Sequence, residues 1–108
     1  MSEAKQVTVE EFLARRKANP KVVVIDVRDD EKFEAGHIPG AKHLHKSKIA
    51  EEIAKLVPDK KTEIVCHCGG GTSGPKAAAE LNAMGYNNAV ALKGGFRSYG
   101  ASGEKIEQ

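Results

Sequence analysis

Short apolar runs recur along the chain and are separated by segments in which apolar residues repeat at helical spacing. The most continuous run, residues 22–25, consists entirely of β-branched residues, which is typical of a strand buried on both faces of a sheet. Residues 63–67 and 89–92 predict two further strands, and shorter extended segments are expected at residues 6–8 and 42–44. Residues 22–25 are therefore predicted to form a central parallel strand.

Helices are predicted between the strands, and several carry recognisable end signals. The first covers residues 9–18, begins at a Thr8 cap and ends at Asn19-Pro20. Its Phe12 and Leu13 are expected to face inward. Four further helices are expected: residues 30–35 before Gly36, a helix from a Ser47 cap to residue 56, residues 76–84 before Gly85, and residues 96–99. Repeated strand, helix, strand connections of this length predict an α/β domain with a mostly parallel sheet.

Length and composition indicate one globular unit. A chain of 108 residues is long enough for one continuous core and too short for a second. Hydrophobic residues make up 40% and charged residues 30%, without a low-complexity tract, so the composition favours a folded chain over a disordered one. We therefore expect a single domain over residues 1–108, with its core at about residues 6–100.

Charge and hydropathy narrow the range of partners. The net charge is +2, and the densest basic region, from Lys5 to Lys21, also contains Glu10 and Glu11, so no nucleic-acid surface is expected. The chain shows neither an apolar signal segment after a basic start nor an apolar run of membrane-spanning length. We expect a cytoplasmic protein without a membrane partner.

The two cysteines, Cys66 and Cys68, are too few for a disulfide framework and are separated by one residue. This spacing fits neither a zinc ribbon nor a Cys-x-x-Cys redox pair. In a reducing compartment, such cysteines either fill the core or carry chemistry. Cys66, two residues before Cys68 on the same strand, is expected to pack within the sheet rather than to act as a resolving thiol.

A glycine-rich loop follows Cys68 and leads into a helix. Residues 69–71 are three glycines, which allow positive φ and let successive backbone N–H groups point inward. Together with the helix N-terminus, such N–H groups stabilise an anion, and they favour the nucleophilic thiolate of a cysteine at the mouth of the loop. The Lys-Ser/Thr pair that a nucleotide-binding phosphate loop needs after its second glycine is missing, so nucleotide binding is not expected.

Several separate motifs make the chain resemble the single-domain rhodaneses. The resemblance covers about residues 6–100, nearly the whole chain, and the motifs occur in the order and spacing of that family. They are Asp26-Val27-Arg28, Gly36-His37-Ile38-Pro39-Gly40-Ala41, Cys68 with Gly71, Ala77-Ala78, Leu81, Gly85-Tyr86, and Leu92 with Gly94-Gly95.

The resemblance implies both a fold and an activity. The fold would be that of a rhodanese, with five mostly parallel strands and helices on both faces. The catalytic Cys68 would take sulfane sulfur from thiosulfate, polysulfide or a persulfide donor and pass it to a thiol or cyanide acceptor, including a protein acceptor. No metal or organic cofactor would be needed. The substrate-binding residues would be those whose loop amides hold the anionic persulfide: Gly69, Gly70, Gly71, Thr72 and Ser73.

The loop departs from the family pattern at its last position. Many active rhodaneses have an arginine there that helps to bind an anionic donor, and this chain has Ser73. Because a hydroxyl cannot replace the charged donors of a guanidinium, we expect thiosulfate to be a poor donor and polysulfide or a low-molecular-weight persulfide to be a better one. Lys76, Arg97 and Arg28 are the candidates for electrostatic support of the site.

The missing arginine also leaves another class of function open. The alternative to an enzyme is a catalytically weak, rhodanese-like module that docks a partner or senses oxidants through Cys68. A phosphatase of the related branch has a loop longer by one residue and would need an arginine in place of Gly74. Phosphatase activity is therefore not expected.

Other polar residues near these motifs are expected to support the fold. Asp26 and Arg28 are predicted to form an ion pair or a turn cap, and His37 is predicted to make a structural hydrogen bond within its turn. The remaining histidines lack the spacing typical of zinc ligands and are expected to be ordinary surface residues. They are His43, His45 and His67.

Overall fold

In the computed structural model, which describes residues 4–70 and 72–108, five strands alternate with five α-helices over the described ranges. The strands are β1 (Gln6–Val7), β2 (Val23–Asp26), β3 (Lys42–His43), β4 (Ile64–His67) and β5 (Ala89–Leu92). The helices are α1 (Val9–Ala18), α2 (Asp30–Ala35), α3 (Ile49–Leu56), α4 (Ser73–Ala83) and α5 (Gly95–Ala101), with a short 3-10 turn, Lys46–Lys48, before α3. None of these helices is long and apolar enough to cross a membrane.

The strands form one sheet in the order β1-β5-β4-β2-β3, and each pairing within it is parallel. The predicted α/β class is confirmed. In the central pair, Asp26 at the end of β2 lies opposite His67 at the end of β4. Because the carboxyl ends of parallel strands lie at one edge of the sheet, the segments that follow β2, β3 and β4 meet there, where open α/β sheets bind their ligands.

Helices cover both faces of the sheet, and each face has its own core. On one face, Val24 and Val65 pack in a cluster with Phe12 of α1 and Tyr99 of α5. The neighbouring strand residues point the other way, since side chains alternate along a strand, and they form the second core with α3 and α4. That core includes Ile25, Ile53, Cys66, Ala78 and Leu81.

The predicted Thr8 cap is confirmed as a reciprocal capping box. The Glu11 N–H donates to Thr8 Oγ1 at 3.1 Å, and the Thr8 N–H donates to Glu11 Oε1 at 2.8 Å. The prediction that Ser47 caps the following helix is wrong. Ser47 lies inside the 3-10 turn, where its own N–H donates to Nδ1 of His45 at 3.1 Å.

Helix α4 begins at Ser73, three residues earlier than the sequence predicts. The difference comes from Pro75, which resembles a helix breaker in the sequence but occupies the first turn of α4. A proline is tolerated there because its missing N–H would have no partner within the helix. The earlier start places the N–H of Ser73 at the end of the helix that faces Cys68.

Candidate active site

Cys68 follows directly after β4 and is 7% exposed. Two backbone N–H groups at the start of α5 hold the beginning of its loop. Phe96 N–H donates to the Cys68 carbonyl at 2.8 Å, and Arg97 N–H donates to the Gly69 carbonyl at 2.9 Å. The chain reaches this position through Gly94 and Gly95, whose φ values of 76° and 61° are in the left-handed region that favours glycine.

The Cys68 sulfur lies at the N-terminus of α4. Ser73 N–H donates to Cys68 Sγ with a nitrogen–sulfur distance of 3.2 Å. At a helix N-terminus, unpaired N–H groups and the helix dipole both favour a negative charge, so this contact stabilises a thiolate. This contact is the main reason to regard Cys68 as the candidate active-site residue, because the Ser73 N–H stabilises the reactive, deprotonated form of the sulfur.

Close packing of α4 against β4 depends on a glycine. A Cβ atom at Gly74 would lie 3.2 Å from His67 Cα and 3.4 Å from the Cys68 nitrogen, tighter than ordinary van der Waals contact. The absence of this side chain therefore lets the first turn of α4 approach the end of β4. Gly74 thus sets the distance between Ser73 N–H and the sulfur.

The loop glycines contribute to the site because they lack side chains. Among the described loop residues, Gly69 and Gly70 do not adopt positive φ, so the prediction of a left-handed backbone is wrong for these two. A Cβ atom at Gly69 would meet nothing within 4 Å, and one at Gly70 would lie 3.8 Å from the guanidinium of Arg97. These glycines leave open space beside Cys68. Gly71 lies outside the described residues.

A pocket of about 210 Å³ opens at Cys68. It combines the loop with segments that follow β2 and β3, which the parallel sheet brings to the same edge. The loop residues that line it include four named from the sequence: Gly69, Gly70, Thr72 and Ser73. The lining from the rest of the chain consists of Val27, Arg28, Asp29, Lys32 and Lys46.

Arg28 lines the pocket, but its charge is paired with a buried carboxylate. Its Nε lies 2.9 Å from both carboxylate oxygens of Asp26, and its Nη2 lies 2.6 Å from Oδ2. The same Nη2 donates to the Gly36 carbonyl at 2.7 Å, and the guanidinium lies over the Phe96 ring, 4.1 Å from its centroid. The predicted ion pair is present, and it fixes Arg28 at the pocket wall.

The other two cations named from the sequence lie beside the pocket. Lys76 lines a neighbouring cavity, which shares Lys46 and Ser73 with the first one. The guanidinium of Arg97 lies close to Gly70, since a Cβ atom placed on Gly70 would be 3.8 Å from it. Neither of these cationic residues is part of the lining around Cys68.

Sequence reasoning missed Lys32 and Lys46, which do line the pocket. Each follows the carboxyl end of a strand, Lys32 in α2 after β2 and Lys46 after β3. That position along the chain was the available signal, because ligands of parallel α/β sheets bind at the carboxyl ends of strands.

The Asp29 carboxylate at the pocket accepts a hydrogen bond from His45. His45 Nδ1 accepts from Ser47 N–H, so its Nε2 carries the hydrogen that is donated to Asp29 Oδ1 at 2.9 Å. This hydrogen bond, with smaller contributions from the charges of Lys32 and Lys46, lowers the pKa of the Asp29 carboxyl. The pocket therefore contains one negative side chain among its positive ones.

His67 is completely buried, so the prediction that it lies at the surface is wrong. His67 is the last residue of β4, which lies between β5 and β2, and all four residues of this strand are buried. Its Nδ1 lies 3.1 Å from the Cys68 carbonyl, and its Nε2 lies 3.8 Å from Asp26 Oδ2, without a hydrogen-bond partner among the described residues. Burial lowers the pKa of the imidazole, which favours a neutral ring that donates from Nδ1.

The other histidines make hydrogen bonds within the fold. His37 Nδ1 lies 2.8 Å from the Phe33 carbonyl, which agrees with its predicted structural role. His43 is partly buried, and its Nε2 lies 2.7 Å from the Arg28 carbonyl. Within residues 4–70 and 72–108, no group of three or more His, Cys, Asp or Glu residues is placed to hold a metal ion.

Cys66 is a packing residue, as the sequence predicts. It is fully buried in the core beneath α4 and forms no disulfide. Burial raises the pKa of its thiol to about 12, so the thiolate form is not populated at neutral pH. The two cysteines therefore differ in their surroundings, because only Cys68 lines the pocket and receives the Ser73 N–H.

In a parallel α/β domain, a cysteine between a strand end and a helix N-terminus has surroundings that favour the thiolate, the form that acts in nucleophilic chemistry. Comparison with known proteins identifies the family. The family model of the rhodanese-like domain matches residues 8–102, and the chain belongs to the rhodanese-like domain family.

Relatives define this membership further. Thiosulfate sulfurtransferase GlpE of Pseudomonas entomophila is 40% identical over 96 residues, which are 89% of this chain and 84% of the relative. A crystal structure of a thiosulfate sulfurtransferase from Pseudomonas aeruginosa has a TM-score of 0.86 and 25% identity over 97% of this chain, which spans only 20% of that longer chain. The NMR structure of a rhodanese-like domain from Anabaena has a TM-score of 0.84 and 25% identity, covering 99% of this chain and 80% of that one. The predicted family, fold and enzyme class, a rhodanese-type sulfurtransferase, are confirmed.

Proposed function

We propose that Cys68 accepts sulfane sulfur from thiosulfate, polysulfide or a persulfide donor, carries it as a persulfide and transfers it to a thiol or cyanide. The observation that carries this proposal is the Ser73 N–H, 3.2 Å from Cys68 Sγ at the start of α4. The names of the GlpE relatives, all thiosulfate sulfurtransferases, support thiosulfate as a donor. We infer a cytoplasmic reaction, in line with the sequence prediction, because a reducing compartment supplies thiol acceptors.

The reaction consists of two displacements at sulfur. In the first, the Cys68 thiolate attacks the outer sulfur of thiosulfate, a sulfur–sulfur bond forms to Cys68, and sulfite leaves with the electron pair of the broken bond. In the second, a thiolate or cyanide attacks the outer sulfur of the persulfide, and the Cys68 thiolate leaves with the bonding electrons. The products are a new persulfide or thiocyanate. Both steps balance without an external oxidant or reductant.

The loop and helix stabilise the negative charge through both displacements. The persulfide is an anion, as the thiolate is, so N–H groups that favour one also favour the other. Ser73 N–H is the described donor to the sulfur, and Gly69 and Gly70 leave room beside it for the second sulfur atom. The main chain thereby stabilises the anionic thiolate and persulfide without a loop arginine.

Intact-protein mass spectrometry tests the persulfide. The reduced protein is incubated with thiosulfate, polysulfide or glutathione persulfide, and one added sulfur atom per chain is expected, which dithiothreitol or cyanide then removes. Cys68→Ser should abolish this addition. Cys66→Ala is the matched control, since Cys66 is buried away from the pocket and its loss should leave the loading intact.

The same experiment distinguishes the enzyme from its alternatives. Failure to load sulfur from every donor would contradict the proposal and favour the binding or redox-sensing module. Equal loading of Cys68→Ser would contradict the role of Cys68. The preference for polysulfide over thiosulfate stays a prediction, and it fails if kcat/KM is clearly higher for thiosulfate.

A further inference from the structure

We propose that a second cavity, the Ile106 cavity, binds the carbon chain of a low-molecular-weight thiol while the sulfur of that thiol removes the outer persulfide sulfur from Cys68. This inference rests on the proposed function, because it concerns the acceptor of the second displacement. The Ile106 cavity has a volume of about 240 Å³ and adjoins the Cys68 pocket, since Arg28 and Lys32 line both. The rest of its lining consists of apolar side chains and a glycine: Ala35, Gly36, Phe96 and Ile106.

Ile106 is held at the cavity by hydrogen bonds of the residues on either side of it. Glu107 forms an antiparallel bridge with His37, in which each backbone N–H donates to the carbonyl of the other residue at 2.8 Å. The hydroxyl of Tyr99 donates to the Lys105 carbonyl at 2.8 Å. The backbone is thereby fixed before and after Ile106, so this wall of the cavity has a defined position. A binding site formed in advance loses less entropy when its ligand binds.

The side chain of Ile106 presents apolar surface to the cavity. Among residues 4–70 and 72–108, it is the one large apolar side chain that is exposed, at 46%. Its Cγ2 lies 3.0 Å from the position that a Cβ atom would take on Gly36, so the glycine lets it pack onto the end of α2. Together with the Phe96 ring, it gives the cavity the mainly apolar lining that is typical of small-molecule sites.

The charges around the cavity favour an uncharged chain over a second anion. The Arg28 guanidinium is compensated by Asp26, whose Oδ2 lies 2.6 Å from Nη2, and it lies over the Phe96 ring. The methylene groups of Lys32 can line an apolar surface while its ammonium group extends into water. Within the described residues, no carboxylate is part of the cavity lining. An alkyl chain therefore finds apolar contacts there without desolvating an unpaired charge.

The volume of the cavity limits the size of the acceptor. Because a water molecule occupies about 30 Å³ in the liquid, 240 Å³ corresponds to about eight water molecules, which is enough for a chain of a few carbon atoms. Such a thiol can place its chain in the Ile106 cavity and its sulfur in the Cys68 pocket, since the two cavities adjoin. Cyanide has no chain to place there. The Ile106 cavity should therefore affect transfer to thiols and leave transfer to cyanide unchanged.

Single-turnover transfer to a series of straight-chain thiols tests the inference. The protein is loaded with sulfur from thiosulfate, desalted and mixed with ethanethiol, propanethiol or butanethiol, and the loss of the added sulfur is followed by intact-protein mass spectrometry. These thiols have nearly equal intrinsic reactivity, so differences in rate report contacts of the carbon chain. The second-order rate constant should rise about three- to fourfold for each added methylene, as expected when a methylene group is transferred from water to an apolar site.

Substitutions of Ile106 assign the effect to this cavity. Ile106→Ser should reduce the increase to about twofold or less per methylene, whereas Ile106→Leu, which keeps all side-chain carbon atoms, should retain it. Neither variant should change the rate of transfer to cyanide. Lys105→Ser is the matched control, because Lys105 is the exposed neighbour in the same segment and does not line the cavity. It should behave as the unmodified protein, and thermal unfolding establishes that each variant is folded.

The outcomes separate this inference from the proposed function. If the loaded sulfur is transferred to cyanide but the three thiols react equally fast, the inference is wrong and the persulfide proposal stands. The cavity would then serve another occupant, such as a side chain of a protein acceptor. An undiminished dependence on chain length in Ile106→Ser, or an equal loss of it in Lys105→Ser, would also overturn the inference. If the unmodified protein never loads sulfur, both proposals fail.

Discussion

The backbone carbonyl of Cys68 accepts hydrogen bonds from two directions. Phe96 N–H donates to it at 2.8 Å, and His67 Nδ1 lies 3.1 Å from it on the buried side. A carbonyl fixed in this way restricts the orientation of the residue that carries the sulfur. At the residue scale, the position of Cys68 therefore depends on a neutral, buried imidazole as well as on the loop.

The protonation of His67 predicts a pH dependence of stability. Burial is the largest influence on its pKa and lowers it below the ordinary value of 6.5, partly opposed by the negative charge of Asp26. The unfolded chain then binds a proton near pH 6.5 that the folded chain does not, so the free energy of unfolding should fall as the pH falls below that value. Above this value, the contribution of His67 should be fully present and constant.

Urea unfolding of the protein and of His67→Gln between about pH 5 and pH 8 checks this expectation. The glutamine keeps a hydrogen-bond donor for the Cys68 carbonyl but does not titrate. The slope of stability against pH should therefore be smaller in the variant. Identical slopes would contradict this expectation, because they would mean that His67 takes up a proton as readily in the folded chain as in the unfolded chain.

At the scale of elements, the site depends on how closely α4 approaches β4. The first turn of α4 holds both Ser73, which donates to Cys68 Sγ, and Gly74, which lies against the backbone of β4. A Cβ atom at Gly74 requires these neighbours to move by a few tenths of an ångström, and because they are backbone atoms of β4 the shift changes the distance between the two elements. The strength of the Ser73–sulfur contact is thus linked to the packing of a helix on a strand.

Gly74→Ala is expected to impair stability and activity together. The added methyl group should cost roughly 1–3 kcal/mol of unfolding free energy by overpacking, and sulfur transfer should slow because Ser73 N–H moves away from Cys68. Denaturant unfolding and kcat for thiosulfate measure the two effects. Unchanged kcat in a destabilised Gly74→Ala would contradict the link between packing and chemistry.

Gly100→Ala is the control for this substitution. Gly100 lies in α5, and a Cβ atom there would meet nothing within 4 Å. Alanine should therefore raise the free energy of unfolding by up to ~1 kcal/mol through its higher helix propensity. The rate of sulfur transfer should not change.

At the scale of the whole molecule, the alternation of apolar runs and helical segments was sufficient to predict the α/β class. Residues 22–25 and 89–92, continuously apolar, predicted strands that the structure places at interior positions of a parallel sheet. The motifs of the family also indicated the Asp26–Arg28 pair, which the structure contains, and Cys68 as the nucleophile, which stays a prediction. Local sequence was enough for these features because each depends on residues that are near one another in the chain.

Features that depend on contacts between distant segments could not be predicted in the same way. Lys32 and Lys46 meet at Cys68 only because the sheet aligns the ends of β2, β3 and β4. The burial of His67 depends on the elements that cover both faces of β4. The start of α4 was misplaced because Pro75 has opposite effects in a first turn and in a helix interior.

If sulfur transfer passes through an enzyme-bound intermediate on Cys68, thiosulfate without an acceptor should produce a burst of sulfite. When the reduced protein is mixed with excess thiosulfate alone, one sulfite per chain should appear rapidly and then stop until cyanide is added. This burst should be absent from Cys68→Ser. Sulfite release that begins only when cyanide is present, with no burst, would exclude this intermediate, because the acceptor would then attack the donor directly.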